Sequence, residues 1–444
     1  MKKAQLIEGS VPRLLIQMAI PMVFGLLSMV VFNLVDAFFV GKLGTKQLAA
    51  LSFTFPVIAA IGGLSVGLGM GISAVVSRAI GSGNNIEVKR LTTDGLLLSL
   101  VLVVICAVGG ILTLHPLFTL LGATEDVIPI IKDYMMIWYP GVIFVIPSMV
   151  AASAIRATGD MKTPSLVMFI AVIINIILDP LLIFGLGPFP MLGVRGAAIS
   201  TVIARSSTLF VSLWVLRYRE QMIYFGKMTY HSLIQSWREI SYIGLPSAGA
   251  KMIAPVATGA ITHFIASYGK EAVAGFGVAT RVEFFALVIT MSLTSAIGPF
   301  VGQNSAAGKH DRVKDSIRYS ESFSMIWGFG AFILLAIFAR PIASIFNNNA
   351  DIVSTVALYF RIIPIGYGCY SILVLATTTL NVLKKPFHAT GLILIEMFGL
   401  CIPLAYVGSH FFALPGIFTG ITLAYIISGI LGHILLQIIP GTRT

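Results

Sequence analysis

Two carboxylates sit inside apolar stretches of this chain, and each stands beside an amide. Asp36 lies near the end of the run from Leu14 to Val40 (LLIQMAIPMVFGLLSMVVFNLVDAFFV), three residues after Asn33. Asp179 follows Asn175 by four residues in the segment NIILDP. Spacings of three and four put both members of a pair on one helical face. A carboxylate inside a membrane span costs about 2.5–3.5 kcal/mol on insertion scales, so by default it marks a functional site. Two carboxylates in one dry pocket repel each other and titrate as a coupled unit, which is what a proton carrier working near neutral pH requires. Pro180 cannot donate to the carbonyl of Ile176, and Pro21 interrupts the first run in the same way, so both are expected as hinges. The plainer alternative is that the acids only satisfy backbone groups that the prolines free.

The elements that must position these residues are membrane helices. Of the 444 residues 57% are hydrophobic and 11% charged, where a soluble domain carries roughly 25% charge. The mean hydropathy of +0.95 and the recurring apolar runs of about 20 residues indicate an all-α membrane protein. Twelve spans are expected, near 12–40, 48–77, 91–113, 127–153, 163–185, 194–216, 236–266, 272–303, 317–338, 352–378, 387–408 and 413–437. The first has no cleavage site after it and reads as a retained helix rather than a signal peptide.

The net charge of +11 does not indicate nucleic-acid binding, because no basic patch with interleaved aromatics lies outside the spans. Most lysines and arginines instead fall at the termini and in loops after even-numbered spans, among them Lys2, Lys3, Arg78, Arg156, Arg217, Lys227, Lys309, Arg312, Lys384 and Arg443. The other loops hold only Lys42, Lys46, Lys132, Arg195, Lys270 and Arg340. That asymmetry places both termini in the cytoplasm and puts Asp36 and Asp179 in the outer half of the membrane.

The chain also repeats itself. Placing Pro21 on Pro246 sets an offset of 225 residues, and Gly44, Gly83, Lys89 and Tyr134 then fall on Gly269, Gly308, Lys314 and Tyr359. Farther on, Gly196 matches Gly416. The expected architecture is two lobes, 1–222 and 223–444, each of six spans. An even number of spans gives them one orientation, so they are parallel repeats related by a pseudo-two-fold axis along the membrane normal. Two such lobes suit an alternating-access transporter.

Other features carry less. Arg281 and Glu283 are two apart on the eighth span and face different ways. Lys251 and Glu396 are isolated charges for which structural pairing is as good a reading as function. Gly62, Gly63, Gly67, Gly69 and Gly71 lie mid-span without a preceding strand and read as close helix packing, not a nucleotide loop. Cys106, Cys369 and Cys401 read as small core residues, and no metal-ligand cluster or nucleophile–base motif appears.

Several segments resemble the multidrug and toxic compound extrusion (MATE) transporters: AIPMVFGLLSMVVFNLVDAFFVGKLG at the start, AIRATGDMKTP, NIILDPLLIFGLG, LGVRGAAISTVIA and FVGQNSAAG. The resemblance covers essentially the whole chain, and Asp36 with Asn175 and Asp179 looks like the DinF-like branch, usually described as proton-coupled. It implies a cation-coupling site at Asp36, Asn175 and Asp179, with Asn33, Tyr139 and Thr201 lining the pocket. Sodium is a second candidate ion for Asp36, Asn175, Asp179 and Thr201. The seventh span carries Lys251 and the tenth only Asp351 at its edge, where sodium-coupled relatives place acids, so no cation site is expected in the second lobe.

The resulting expectation is a monomeric multidrug efflux antiporter of the bacterial inner membrane. It would be driven by protons, have no cofactor and no enzymatic activity, and export amphipathic, often cationic drugs. Two alternatives are a lipid-linked oligosaccharide flippase of the same superfamily, favoured by Lys251, Arg205 and Arg281, and a membrane-embedded enzyme.

Overall fold

The computed structural model describes residues 5–226 and 229–438, so Lys2, Lys3, Lys227 and Arg443 of the charge argument lie outside the described residues. Within them every regular element is helical and there is no strand. The helices are α1 (Val11–Gly41), α2 (Thr45–Gly81), α3 (Asn85–Leu120), α4 (Ile128–Ala157), α5 (Lys162–Phe184), α6 (Val194–Trp214), α7 (Tyr230–Ala266), α8 (Lys270–Ala306), α9 (His310–Ile337), the short α10 (Ala339–Phe346), α11 (Ala350–Ile362), α12 (Tyr367–Val382), α13 (Pro386–Leu394) and α14 (Ile402–Ile438).

Among the described residues ten stretches are long and apolar enough to cross a membrane. The last of them, Pro386–Ile438, is 53 residues long and breaks at Phe412 and Ala413, so it makes two crossings. Helix α7, 37 residues long and carrying Lys251 and His263, makes the twelfth. Large apolar side chains such as Phe24, Leu112, Ile326 and Phe411 point outward, as lipid-facing positions must.

The chain folds as two compact units. The first holds Ile20–Ala248 and the second Leu6–Ala19 with Gly249–Thr444. Each unit therefore includes half of a helix that continues in the other. In the first unit α2 accepts the front half of α7 at its glycines. A Cβ on Gly67 would lie 2.6 Å from the Gly244 carbonyl oxygen, and one on Gly71 would lie 2.5 Å from that of Ile240. Only a missing side chain permits so close a backbone approach, which is the packing role expected of these glycines. The strap before α7 and the first turns of α7 are tied to α3: the Tyr224 amide donates to Thr93 Oγ1 (2.8 Å) and the Trp237 indole to the Asp94 carbonyl (2.9 Å).

The second unit holds the start of the chain through side chains at the end of α8 and the start of α9. Asn304 Nδ2 donates to the Leu6 carbonyl (3.1 Å), Lys309 Nζ to that of Ile7 (2.8 Å) and Arg312 to that of Gly9 (2.7 Å).

The repeat is visible in the backbone. Gly193, before α6, has φ 56° and ψ −130°, and Ala413, 220 residues later, has φ 52° and ψ −138°. The same turn starts the last crossing of each unit, but one unit fills it with alanine, whose Cβ crowds the backbone in this region.

At the α4–α5 loop Asp160 accepts from the Thr163 amide (3.0 Å) and hydroxyl (2.6 Å) and from the Arg219 guanidinium, which also donates to Thr163 Oγ1 (2.8 Å) and Glu220 (2.8 Å). Burial disfavours the Asp160 charge, but the Thr163 bonds and Arg219 outweigh it and hold the carboxyl below its usual range.

Two outcomes are expected. Ala413→Gly raises stability by about 1 kcal/mol, because the strain relieved (roughly 1–3 kcal/mol) exceeds the entropy glycine adds to the unfolded chain (about 0.4–1 kcal/mol). Gly193→Ala lowers it by a similar amount, since no atom crowds that site and only strain acts. Thermal unfolding of the purified variants measures both, and unchanged midpoints would contradict the strain. For Asp160 the folded value is depressed, so its contribution is present above the unfolded value and disappears as pH falls through the folded one. Asp160→Asn should therefore lower the unfolding temperature at neutral pH and make no difference in acid.

Candidate functional site

The two carboxylates meet in the first unit, on α1 and α5, with α4 and α6 completing the cluster. Helices α1 and α5 close on each other where Gly25 faces Ser165 and where the Phe39 and Phe184 rings meet edge-on at 6.2 Å. Phe32 packs with Ala171, Val172 and Ala204, which fixes the face of α1 that carries Asp36. Helices α5 and α6 touch at Gly196, where a Cβ would sit 2.4 Å from the Leu182 carbonyl oxygen. This contact brings Ser200 under Asp179.

Asn175 and Asp179 are fully buried. Asn175 Nδ2 donates to Asp179 Oδ1 (3.1 Å) and to Ser200 Oγ (3.3 Å). The Ser200 hydroxyl reaches both Asp179 Oδ1 and the Ala197 carbonyl (3.0 Å), and with one proton it can donate to only one of them at a time. Asp36 lies close enough for its carboxylate to feel the Asp179 charge. The Tyr134 hydroxyl, on α4, faces Thr201 and lies in the field of Asp36, Asp179 and Arg205. Arg205 stacks over the Phe32 ring at 4.8 Å. Four buried oxygens have no hydrogen-bond partner among the described residues: Asp36 Oδ1, Asp179 Oδ2, Asn175 Oδ1 and Thr201 Oγ1. Such oxygens can take a proton or donate to a small cation.

Four expected residues therefore converge: Asp36, Asn175, Asp179 and Thr201. Two do not. Asn33 is exposed on α1 and hydrogen-bonds to no described residue, because three residues along a helix share a side but not a depth of burial. Tyr139 is fully buried, but it faces α3: a Cβ on Gly110 would lie 2.1 Å from its ring. Its hydroxyl has no partner among the described residues. Tyr134, five residues earlier on α4, holds the place by the acids. Tyr134 and Ser200 were not among the expected site residues. The signals were present, since Tyr134 recurs as Tyr359 in the repeat and Ser200 adjoins Thr201.

Pro21 and Pro180 lie inside α1 and α5, which run on through them. Each leaves one carbonyl, at Gln17 and Ile176, without its helical donor. Pro21 stands two residues beyond the point where α1 passes from one unit to the other.

Twelve crossings in two units, with a buried acid cluster in the first, define a multi-pass membrane transporter. The MatE family model matches the chain twice, at residues 21–181 and 246–407, and the two matches begin 225 residues apart. The chain belongs to this family, and it is a transporter rather than an enzyme. It is 36% identical over 432 residues to the FAD transporter of Shewanella oneidensis, covering 97% of this chain and 96% of that one. The probable multidrug resistance protein YoeA of Bacillus subtilis is 28% identical, covering 89% and 87%. The MATE transporter VcmN of Vibrio cholerae, solved in its bent form, superposes with a TM-score of 0.92 at 30% identity, covering 98% of this chain and 97% of that one.

The geometry separates Tyr139 on α4 from Ser200 on α6. Ser200→Ala removes a bond to a buried carboxylate and should cost roughly 1–3 kcal/mol of stability, together with a fall in transport. Tyr139→Phe removes a hydroxyl that bonds nothing and should leave both unchanged. Melting temperature and transport rate of the two variants, compared side by side, test the assignment. Loss of transport in Tyr139→Phe with none in Ser200→Ala would reverse it.

Proposed function

We propose that this protein is a proton-coupled efflux antiporter of the inner membrane, with both termini cytoplasmic, that acts as a monomer and exports amphipathic, often cationic compounds. The observation that carries the reading is the unequal pair in the first unit. Asp179 is held by Asn175 and Ser200, whereas Asp36, beside it, bonds to no described residue and has one oxygen sealed from solvent. An acid with no fixed partner can change its charge without breaking a network. In the outward-open state Asp36 takes a proton from outside. Its repulsion with Asp179 ends, its hold on a cationic substrate weakens, and α1 is free to bend at Pro21, where a backbone bond is already missing. Release of the proton to the cytoplasm resets the pair.

A second reading concerns the cargo. The similarity to an FAD transporter over nearly the whole chain supports a flavin dinucleotide as substrate. Lys251 and Arg281, both exposed in the second unit, offer cations to a pyrophosphate. Sodium is the alternative driving ion, with Asp36, Asn175, Asp179 and Thr201 as its oxygens.

Purified protein in lipid vesicles decides among these, with ethidium or FAD as cargo and proton and sodium gradients imposed separately. A proton gradient should drive ethidium movement, and Asp36→Asn should abolish it at normal protein levels. Movement driven by sodium alone would overturn the coupling choice, and FAD movement without ethidium movement would overturn the choice of substrate. An Asp36→Asn variant that transports at the normal rate would remove Asp36 from the mechanism.

A further inference from the structure

The second unit was expected to hold no ion site, yet it sets one buried and one partly buried carboxylate, Glu396 and Glu283, among tyrosines. Glu283, on α8, accepts a hydrogen bond from the Tyr359 hydroxyl at 2.5 Å through Oε2. Its other oxygen, Oε1, is sealed from solvent and has no partner among the described residues. Tyr367 is 1% exposed and its hydroxyl is also unpartnered, and that hydroxyl lies in the field of Glu283. A buried phenol therefore stands beside a partly buried acid without completing a hydrogen bond to it. Glu396 is 1% exposed, with Oε1 unpartnered, on a π-helical stretch (Ile395–Cys401) that interrupts the span between α13 and α14. Single π turns inside α-helices recur at functional sites. Tyr370 and Tyr425 pack ring against ring at 4.6 Å, and both feel the charges of Glu283 and Glu396.

The chemistry selects the ligand. A hard cation collects many oxygens, and the described residues hold no group of three His, Cys, Asp or Glu that could bind a metal ion. Around Glu283 there are only one free carboxylate oxygen and one free phenol. One proton on Oε1 satisfies that set: the protonated acid donates to the Tyr367 oxygen while Oε2 still accepts from Tyr359. Glu283 is partly buried as a residue, and Arg281, two residues away, is exposed. The other titratable groups facing the cluster are Tyr370, Tyr425, Cys401 and Glu396.

We propose that Glu283, held by Tyr359 and faced by Tyr367, is an exchangeable proton-binding site of the second unit, separate from Asp36 and Asp179, with Glu396 as its partner acid across the Tyr370–Tyr425 pair. In an exchange between the two acids one carboxyl gives up its proton as the other gains one, with no net change in charge. The site does not depend on which ion or cargo the first unit serves.

Infrared difference spectroscopy of the full-length protein in lipid vesicles, titrated across neutral pH, reads the carbonyl stretch that a protonated carboxyl has and a carboxylate lacks. The expected result is a titrating acid band that disappears in Glu283→Gln and survives in Asp36→Asn. Tyr367→Phe, which removes only an unpartnered hydroxyl and spares the fold, should shift the midpoint of that band. Three results would overturn the site: an unchanged set of titrating bands in Glu283→Gln, a Glu283 band that never loses its proton, or no shift in Tyr367→Phe. Failure of Asp36 to couple transport would leave this band untouched, so the two readings fail separately.

Discussion

A proline inside a membrane helix removes one backbone hydrogen bond that no water can replace, and this chain places such a proline where α1 passes between units. Pro21 sits beside the Ala19–Ile20 boundary, and its repeat mate Pro246 sits beside the Ala248–Gly249 boundary in α7. Each unit therefore contains a half-helix that starts the other repeat. On its own side, the segment that leads into α1 is held by Asn304, Lys309 and Arg312 in the second unit, and the front half of α7 by the glycines of α2 and a bond to α3 in the first. The weak link in each helix lies at the boundary, so bending there leaves the hydrogen bonds within either unit intact.

The two units share a backbone and differ in charge. The turn of Gly193 recurs at Ala413, and Tyr134 recurs as Tyr359. In both units that tyrosine faces a buried acid, but the acid comes from different helices. Tyr134 faces Asp36 and Asp179 on α1 and α5, whereas Tyr359 bonds Glu283 on α8. At the 225-residue offset Asp36 corresponds to Ile261 and Glu283 to Ile58. A duplicated scaffold has thus kept its phenol and moved its carboxylate.

How much of this could be read beforehand follows from what each signal depends on. The twelve spans are legible because burial in lipid demands long apolar runs, and even the two crossings merged in Pro386–Ile438 separate at the Ala413 turn. The pairing of Asn175 with Asp179 is legible because an i, i+4 spacing on one helix is local geometry. Ser200 was not, since its bond to Asp179 depends on how closely α6 packs at Gly196, which no spacing encodes. Asn33 and Tyr139 lie outside the acid cluster for a related reason: helical phase says which residues share a side, but not which neighbour that side meets. Glu396 looked like an isolated charge and Glu283 like one without a partner, because their tyrosines come from elements more than 20 residues away in the chain or across a break in the helix.

The contrast between Asp36 and Asp179 decides which acid can work as the moving part. Asp179 is fully buried and accepts two bonds on one oxygen, from an amide of its own helix and a hydroxyl of the next. Both donors serve a charged acceptor better than a neutral one, and neither can leave without exposing another buried polar group. Asp36 has no such donors, and its helix is weakened at Pro21, close to the passage between the units. A charge that changes on Asp36 alters its repulsion with Asp179 and its position relative to Tyr134, and nothing else has to be broken. Under the proposed proton coupling, fixed acid, movable acid and flexible helix are three parts of one device, and Asp179 contributes by staying where it is.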